Sequence, residues 1–460
     1  MSSVSGRLTM AELDRLCASE RAAGRLLPDY AGPLARHVDE GDRRLLRLQY
    51  DDSTAAVRLW SFLMTEEERL HAARDAGCTI VGAMKDLGTV PVMAYALPNV
   101  VAFYPDGAWW TPCVMEMSDR LLAVAADMGL GEAFCPVRAM VGAFVTRRHF
   151  PIPDLLTCSV GAVCDDFSAI AQRLESLGFP ILWWEMPARR QPEPGEPAVR
   201  LPTGFDAPAA QVAVVQAELE RVRQALAEAA GRPLSDEALV GGIREANGVR
   251  DILAGLRHMA YTAEPCPMPA LEMLIAEMLA IHFCSDRTEA AAVLADLLAE
   301  AHRRAAEGRG VLDAGAPRIF WVNPPADLRA MNLLEECGGR LCGTEFLFCH
   351  ALDMIPEDLP PMEALARAAL GDPMVGPSGD RAERIVRDAP RFGAEAVVVS
   401  RIPGASHCAT EGAVIAETVG ERLGLPVVEL EVPPVADPIL PTLRTRLEAL
   451  VETVLKRRSR

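Results

Sequence analysis

Over its first seventy-five residues the chain places apolar side chains at helical spacing, most clearly over 54–76, where Leu, Trp, Phe and Met recur amid Arg and Glu. The period then shortens. CTIVGAMKDLGTVPVMAYALPNVVAFYP is a set of short β-rich runs punctuated by Gly and Pro, and SDRLLAVAADMG reads as a helix closed by Gly129. PDLLTCSVGAVC predicts a buried strand. DDFSAIAQRLESLG predicts the helix after it, with Asp165 or Asp166 as N-cap and Gly178 at its end, and FPILWWEMP a further apolar strand. Strands alternating with helices predict βαβ units around a parallel sheet.

The Pro-rich segment QPEPGEPAVRLPTGFDAP lacks periodicity and reads as a linker over 191–208. Beyond it the pattern is helical to about 310. AQVAVVQAELERVRQALAEAAG stops at Gly231, and SDEALVGGIREANGVRDILAGLRHM starts from Ser235 as N-cap. Alternation then resumes: PRIFWVN, RLCGTEFLF, AEAVVVSRI and LPVVELEV read as strands, with helices between them and a last helix, PTLRTRLEALVETVLKRR, whose basic end suits its dipole. The expected organisation is α/β: an N-terminal helical segment (1–75), a first Rossmann-like unit (76–190), the linker, a helical insert (209–310) and a second α/β unit (311–460). The two α/β halves are candidates for distant copies of one unit.

Composition narrows the classes of function. With 64 acidic and 46 basic residues among 460, the net charge of −18 repels phosphate backbones, so nucleic acid and anionic membrane are not expected partners. Half the residues are hydrophobic, which excludes global disorder. The most apolar stretches, 78–101 and 159–184, are broken by charges and prolines before they reach the length of a membrane span. The N-terminus reads as a polar helix rather than a targeting signal, so a cytoplasmic protein with reduced thiols is expected.

Twelve cysteines then need a reason. None forms a CxxC pair, so ligands to a metal would have to be gathered by folding, and in an open α/β sheet that happens past the carboxyl ends of strands. Three lie in such loop contexts: Cys135 in LGEAFCPVRAM, Cys164 before a helix, and Cys408 in RIPGASHCATEG. A helix N-terminus favours the thiolate that a metal requires. Cys17, Cys78, Cys158, Cys266, Cys284 and Cys337 fit apolar runs as small core residues, while Cys113, Cys342 and Cys349 fit neither group. Among other residues, Asp165 and Asp166 read as cap and first-turn acid, and Trp183–Trp184 and Glu185 as a strand end. Arg138, Arg147, Arg148 and His407 read as solvated surface, Gly404 as a backbone requirement, and Thr344–Glu345 as either strand residues or a substrate entrance.

The ordered segments FCPVRAMVGAF, FPIPDLLTCSVGAVCDDFSAIAQRLE, GRPLSDEALVGGIREANGVRDILAGL, GAEAVVVSRIPGASHC and TLRTRLEALVE resemble the 2-hydroxyacyl-CoA dehydratase family, which includes the benzoyl-CoA reductase catalytic subunits; the likeness spans about 75–455. It implies two Rossmann-like units plus a helical one, with a [4Fe-4S] cluster between the α/β units held by Cys135, Cys164 (Cys158 its rival) and Cys408. It further implies an acyl-CoA substrate and one-electron (ketyl radical) chemistry, either dehydration of a 2-hydroxyacyl-CoA or reduction of an aromatic acyl-CoA. The implied partners are a homologous second subunit, or a second copy in a homodimer, and an ATP-dependent iron–sulfur activator. The chain itself lacks GxxxxGK[ST]. It also departs from the dehydratase pattern: TIVGAMK runs almost directly into DLGTVPV, and AFYPDGAWWTPC, with Trp109, Trp110 and Cys113, stands where a P-E-N-H stretch is usual. Two alternatives belong beside this reading, a double-cubane [8Fe-9S] protein of the same superfamily using Cys342 and Cys349, and a non-catalytic partner subunit.

Overall fold

The computed structural model describes residues 6–26, 45–86, 88–107, 117–282, 285–346, 352–406, 410–434 and 436–460. Among these, β1 (Thr79–Met84), β2 (Val100–Phe103), β3 (Leu155–Gly161) and β4 (Leu182–Met186) form a parallel sheet in the order β2-β1-β3-β4. A second parallel sheet contains β5 (Arg318–Val322), β6 (Arg340–Glu345), β7 (Ala396–Arg401) and β8 (Val427–Glu431), in the order β6-β5-β7-β8. The expected pair of Rossmann-like sheets is present, and both halves repeat one strand order. In each, the chain reverses direction across the sheet between its first and third strands, the place where open α/β folds bind ligands.

The repetition extends to detail. Lys85 directly follows β1 and Asn323 directly follows β5, and both are left-handed non-glycine residues with φ of 52° and 62°. The fifth residue of β3, Ser159, donates to the Lys85 carbonyl at 2.6 Å, and Asn323 Nδ2 donates at 2.6 Å to the carbonyl of Ser400, fifth in β7. Two non-glycine residues held at positive φ at matching strand ends are over-determined by their surroundings, as functional sites often are.

The insert consists of helices Ala209–Ala229, Asp236–Thr262, Ala270–His282 and Arg287–Glu307. In the first of these Val212, Val215, Leu219, Val222 and Leu226 are buried at the spacing of a single face, and Ser235 caps the second by accepting from the Ala238 amide at 3.1 Å. Among the described residues no helix is long and apolar enough to cross a membrane.

Local differences from expectation have physical causes. The stretch 54–76 is two helices, Thr54–Met64 and Glu66–Asp75, because the Thr65 hydroxyl turns back onto the Ser61 carbonyl at 2.6 Å. The linker contains a ribbon pairing Ala198–Arg200 with Asp206–Pro208. A helix at Pro361–Leu370 has no counterpart in the sequence reading; its two prolines look like breakers but sit at its start, where a missing N–H costs nothing. Cys164, rather than Asp165 or Asp166, occupies the N-cap of α1 (Asp165–Ser176).

The N-terminal segment is tied to the insert by a buried charge network. Arg304 binds Asp51 through both terminal nitrogens at 2.7 and 2.9 Å and also reaches Asp52 and Glu300; Arg304 and Asp51 are both out of contact with solvent. Beside it, Glu272 accepts through Oε1 from the Asp51 amide and the Trp60 indole, while its buried Oε2 has no partner. Burial, with Asp51 adding to it, raises the Glu272 pKa to about 7. Between pH 4.5 and 7 the folded protein therefore holds a proton that the unfolded chain has lost, so this group's contribution to stability falls as pH rises through that window. Glu272→Gln is expected to match the parent near pH 4.5 and to melt higher than it at pH 8. Thermal melts across that range check this, and a constant difference between the two proteins would refute it.

Candidate functional site

Both sheets direct their carboxyl ends toward one place. The loop leaving β3 reaches Cys164 at the start of α1, the loop leaving β7 reaches Ser406, and a third segment brings Cys135 to the turn before the short helix Pro136–Arg138. One carboxylate gathers all three. Asp166 Oδ1 accepts the Cys135 amide at 3.2 Å, and Oδ2 accepts the Ser406 amide at 3.2 Å and lies 3.7 Å from the Cys164 thiol. Cys164 Sγ is also 3.5 Å from Ser406 Oγ, a contact between the two α/β units.

The approach of the segments needs a glycine. Gly404, at φ +79°, lies so close to the Cys135 loop that a Cβ would meet the carbonyl oxygens of Phe134 and Glu132 at 2.7 and 2.8 Å. The expected backbone role of Gly404 is thus served at the seam between the two α/β units.

Cys135 and Cys164 are buried. Burial pushes the Cys164 thiol pKa up, while the Ser406 hydroxyl and the amides of Phe167 and Asp166 pull against it. Two buried cations stand nearby. Lys85 donates to Ser168 Oγ at 3.2 Å; burial lowers its pKa, and the nearby Cys158, Cys164 and Asp165 oppose that. Arg138, expected on a solvated face, is buried instead. Its Nη1 donates to the Phe134 carbonyl at 2.6 Å, burial lowers its pKa, and Cys135, Glu132 and Asp166 oppose the shift. A cavity of about 560 Å³ opens beside this loop between Glu132, Pro136 and Arg138 on one side and Pro403 and Pro433 on the other.

Cys158 occupies a different setting. It lies inside β3 between Met84 and Trp183, with its thiol on the Ser159 carbonyl at 3.3 Å and its pKa pushed up to about 12 by burial. Cys17 and Cys266 are core residues, as is Cys342 in β6, where burial raises the thiol pKa to about 12; Cys78 and Cys337 are half-buried. Cys408, His407, Cys113, Trp109, Trp110, Cys284 and Cys349 lie outside the described residues. Among the described residues no group of three or more His, Cys, Asp or Glu side chains is arranged to hold a metal ion.

Arg147, Arg148 and Glu185 are exposed, and Trp184 is core. Thr344 and Glu345 are buried residues of β6. Thr344 donates to Glu277 at 2.7 Å, while Glu345 takes Arg381, which also binds Asn323 and Glu411 behind the ends of β5 and β6. Sequence reasoning missed Lys85, Ser406 and the bridging role of Asp166; the one signal available was that Lys85 ends an apolar strand.

Two α/β units of the same topology, meeting strand-end to strand-end over buried cysteines and paired through a helical insert, define the class of protein. The chain belongs to the family described as 2-hydroxyglutaryl-CoA dehydratase, D-component, whose model matches residues 90–454. No curated protein matches the chain.

Proposed function

We propose that this chain is the iron–sulfur subunit of an enzyme that removes water from a 2-hydroxyacyl-CoA. It works with a homologous second subunit and receives electrons from a separate ATP-dependent activator. The observation that carries this reading is Asp166 holding the Cys135 loop, Cys164 and the segment leading to Cys408 against one another. The donor set is compatible with a [4Fe-4S] cluster: the buried Cys164 thiol and the backbone amide of the buried Cys135, on separate loops, meet one carboxylate, and the sequence places Cys408 two residues beyond Ser406. Cys135, Cys164 and Cys408 would hold the cluster, which when bound supplies an electron and a Lewis-acidic iron to the thioester carbonyl. Membership of a dehydratase family favours dehydration over ring reduction. The D-component description favours a partner subunit.

The chain's own residues have definable tasks. Asp166 fixes the spacing of the loops, and the amides that cap α1 at Cys164 offer hydrogen bonds to a thiolate there. Lys85 and Arg138 bring positive charge near the cysteines, where it would offset an anionic centre. Cys342, a core residue of β6, gives no support to a second cluster.

The test is anaerobic purification with iron and sulfide assay and electron paramagnetic resonance. The expected result is about four irons per chain, lowered by Cys135→Ala, Cys164→Ala and Cys408→Ala but not by Cys158→Ala. Absence of iron from the anaerobically purified parent would overturn the reading. Iron lost from Cys158→Ala but retained by Cys164→Ala would move the ligand to the strand.

A further inference from the structure

Arg381 is the fourth residue of the helix α2 (Ser378–Arg391), which leads into β7, and its side chain is out of contact with solvent. Both circumstances oppose it. Burial strips the charge of its water, and a cation near a helix N-terminus faces the positive end of the dipole. A full set of partners offsets the cost. Nε donates to both oxygens of Glu345 at 3.0 Å, and Nη2 donates to Glu345 Oε2 at 2.5 Å and to Asn323 Oδ1. Nη1 donates to Glu411 Oε2 at 3.0 Å. A planar guanidinium can serve three residues in three directions, which an ammonium group cannot do with the same fixed geometry.

The three partners have different places in the fold. Glu345 ends β6, and Asn323 follows β5 and holds the carbonyl of Ser400 in β7, so these two join the strand ends of the second sheet. Glu411 joins no strand. It is half-buried and occupies the N-cap position of α3 (Gly412–Leu423), yet its side chain makes no capping bond to that helix and goes to Arg381 instead. The first unit has a counterpart: Lys85, directly after β1, donates to Ser168, the fourth residue of the helix that follows Cys164. In each half a buried cation at the strand ends thus reaches the start of the helix that comes after a candidate cysteine ligand.

The chain from Ser406 to Glu411 is consequently held at both ends. The Ser406 amide donates to Asp166 of the first unit at 3.2 Å, the Thr410 hydroxyl donates to the Ser406 carbonyl at 2.5 Å, and Glu411 is taken by Arg381 of the second unit. In sequence, Cys408 is two residues from Ser406 and two from Thr410. Resting on the cluster reading above, we infer that Arg381 is a positioning residue. Acting through Glu411, it sets where the second unit presents the Ser406–Glu411 segment to the cysteines of the first. Asp166 registers that segment against one unit and Arg381 registers it against the other, so its place depends on both.

The test compares the full-length parent with Glu411→Ala, Glu411→Gln and Arg381→Lys. Three quantities are measured: iron lost to a chelator after anaerobic purification, hydrogen exchange over 406–412 in the metal-free protein, and the thermal melt. Glu411→Ala is expected to exchange about tenfold or more faster over that segment and to hold iron about 10- to 100-fold more weakly. Its melt should stay close to the parent's, because Arg381 keeps Glu345 and Asn323. Glu411→Gln retains an oxygen that accepts from Arg381 and should rescue most of both losses. Arg381→Lys keeps the charge without the fork; it should match Glu411→Ala over the segment and also melt lower. Should Arg381→Lys fail to fold, the two Glu411 variants decide. Parental exchange and iron retention in Glu411→Ala overturn the inference. Faster exchange spread over both sheets with a lowered melt also overturns it, since Glu411 would then be a general stabiliser. A parent without iron overturns the cluster reading and this inference with it, whereas a parent with iron beside an indifferent Glu411→Ala overturns the inference alone.

Discussion

Replacing Asp166 with alanine is expected to loosen the seam between the two α/β units and to weaken retention of the proposed cluster about 10- to 100-fold, although Asp166 is not itself a proposed ligand. The loss follows from what the carboxylate accepts. The amides of Cys135, in a buried setting, and Ser406, in a half-buried one, each lose their acceptor, which costs on the order of 1–3 kcal/mol for the first and less for the second. Asparagine should be little better. The two amides go to different oxygens of Asp166, and an asparagine has one carbonyl oxygen and an NH₂ group that would face the second amide donor-to-donor. Iron content after anaerobic purification, together with hydrogen exchange at Cys135 and Ser406, measures both halves of the expectation. If Asp166→Ala keeps its iron and its slow exchange, the carboxylate does not organise the site.

The second large effect lies far from the cysteines. Arg304→Met leaves Asp51 buried and stripped of its bidentate partner, an arrangement that typically costs about 3–5 kcal/mol. The double variant Arg304→Met with Asp51→Asn should recover much of this, because a neutral pair no longer demands solvation. Urea denaturation of the parent, both single variants and the double variant gives the coupling. Additive losses would mean that the two residues stabilise the fold independently. The expected loss falls on the attachment of the N-terminal segment, since Asp51 follows Tyr50, whose ring meets Trp60 edge-on at 5.0 Å.

The two sheets were legible in the sequence because their strands are apolar runs with helices between them, a pattern that needs no distant information. Cys135 and Cys164 could be singled out for the same reason, since the loops around them are local features. Asp166 read only as a first-turn acid because its decisive partners lie 31 and 240 residues away. Arg138 was grouped with Arg147 and Arg148 because composition does not distinguish a buried arginine from a solvated one; burial is set by the packing of Pro136–Arg138 against the helices Met117–Asp127, Ala139–Thr146 and Asp165–Ser176.

That one carboxylate serves both sides of the seam has a kinetic corollary. The amides of Cys135 and Ser406 belong to different halves of the molecule, so Asp166 cannot release one side while keeping its full complement of bonds. Separation of the halves at this seam would then break both of those bonds together, along with the Cys164–Ser406 contact and the close approach of Gly404 to Phe134. Anything that reaches the cysteines by that route, oxygen included, has to part those contacts together.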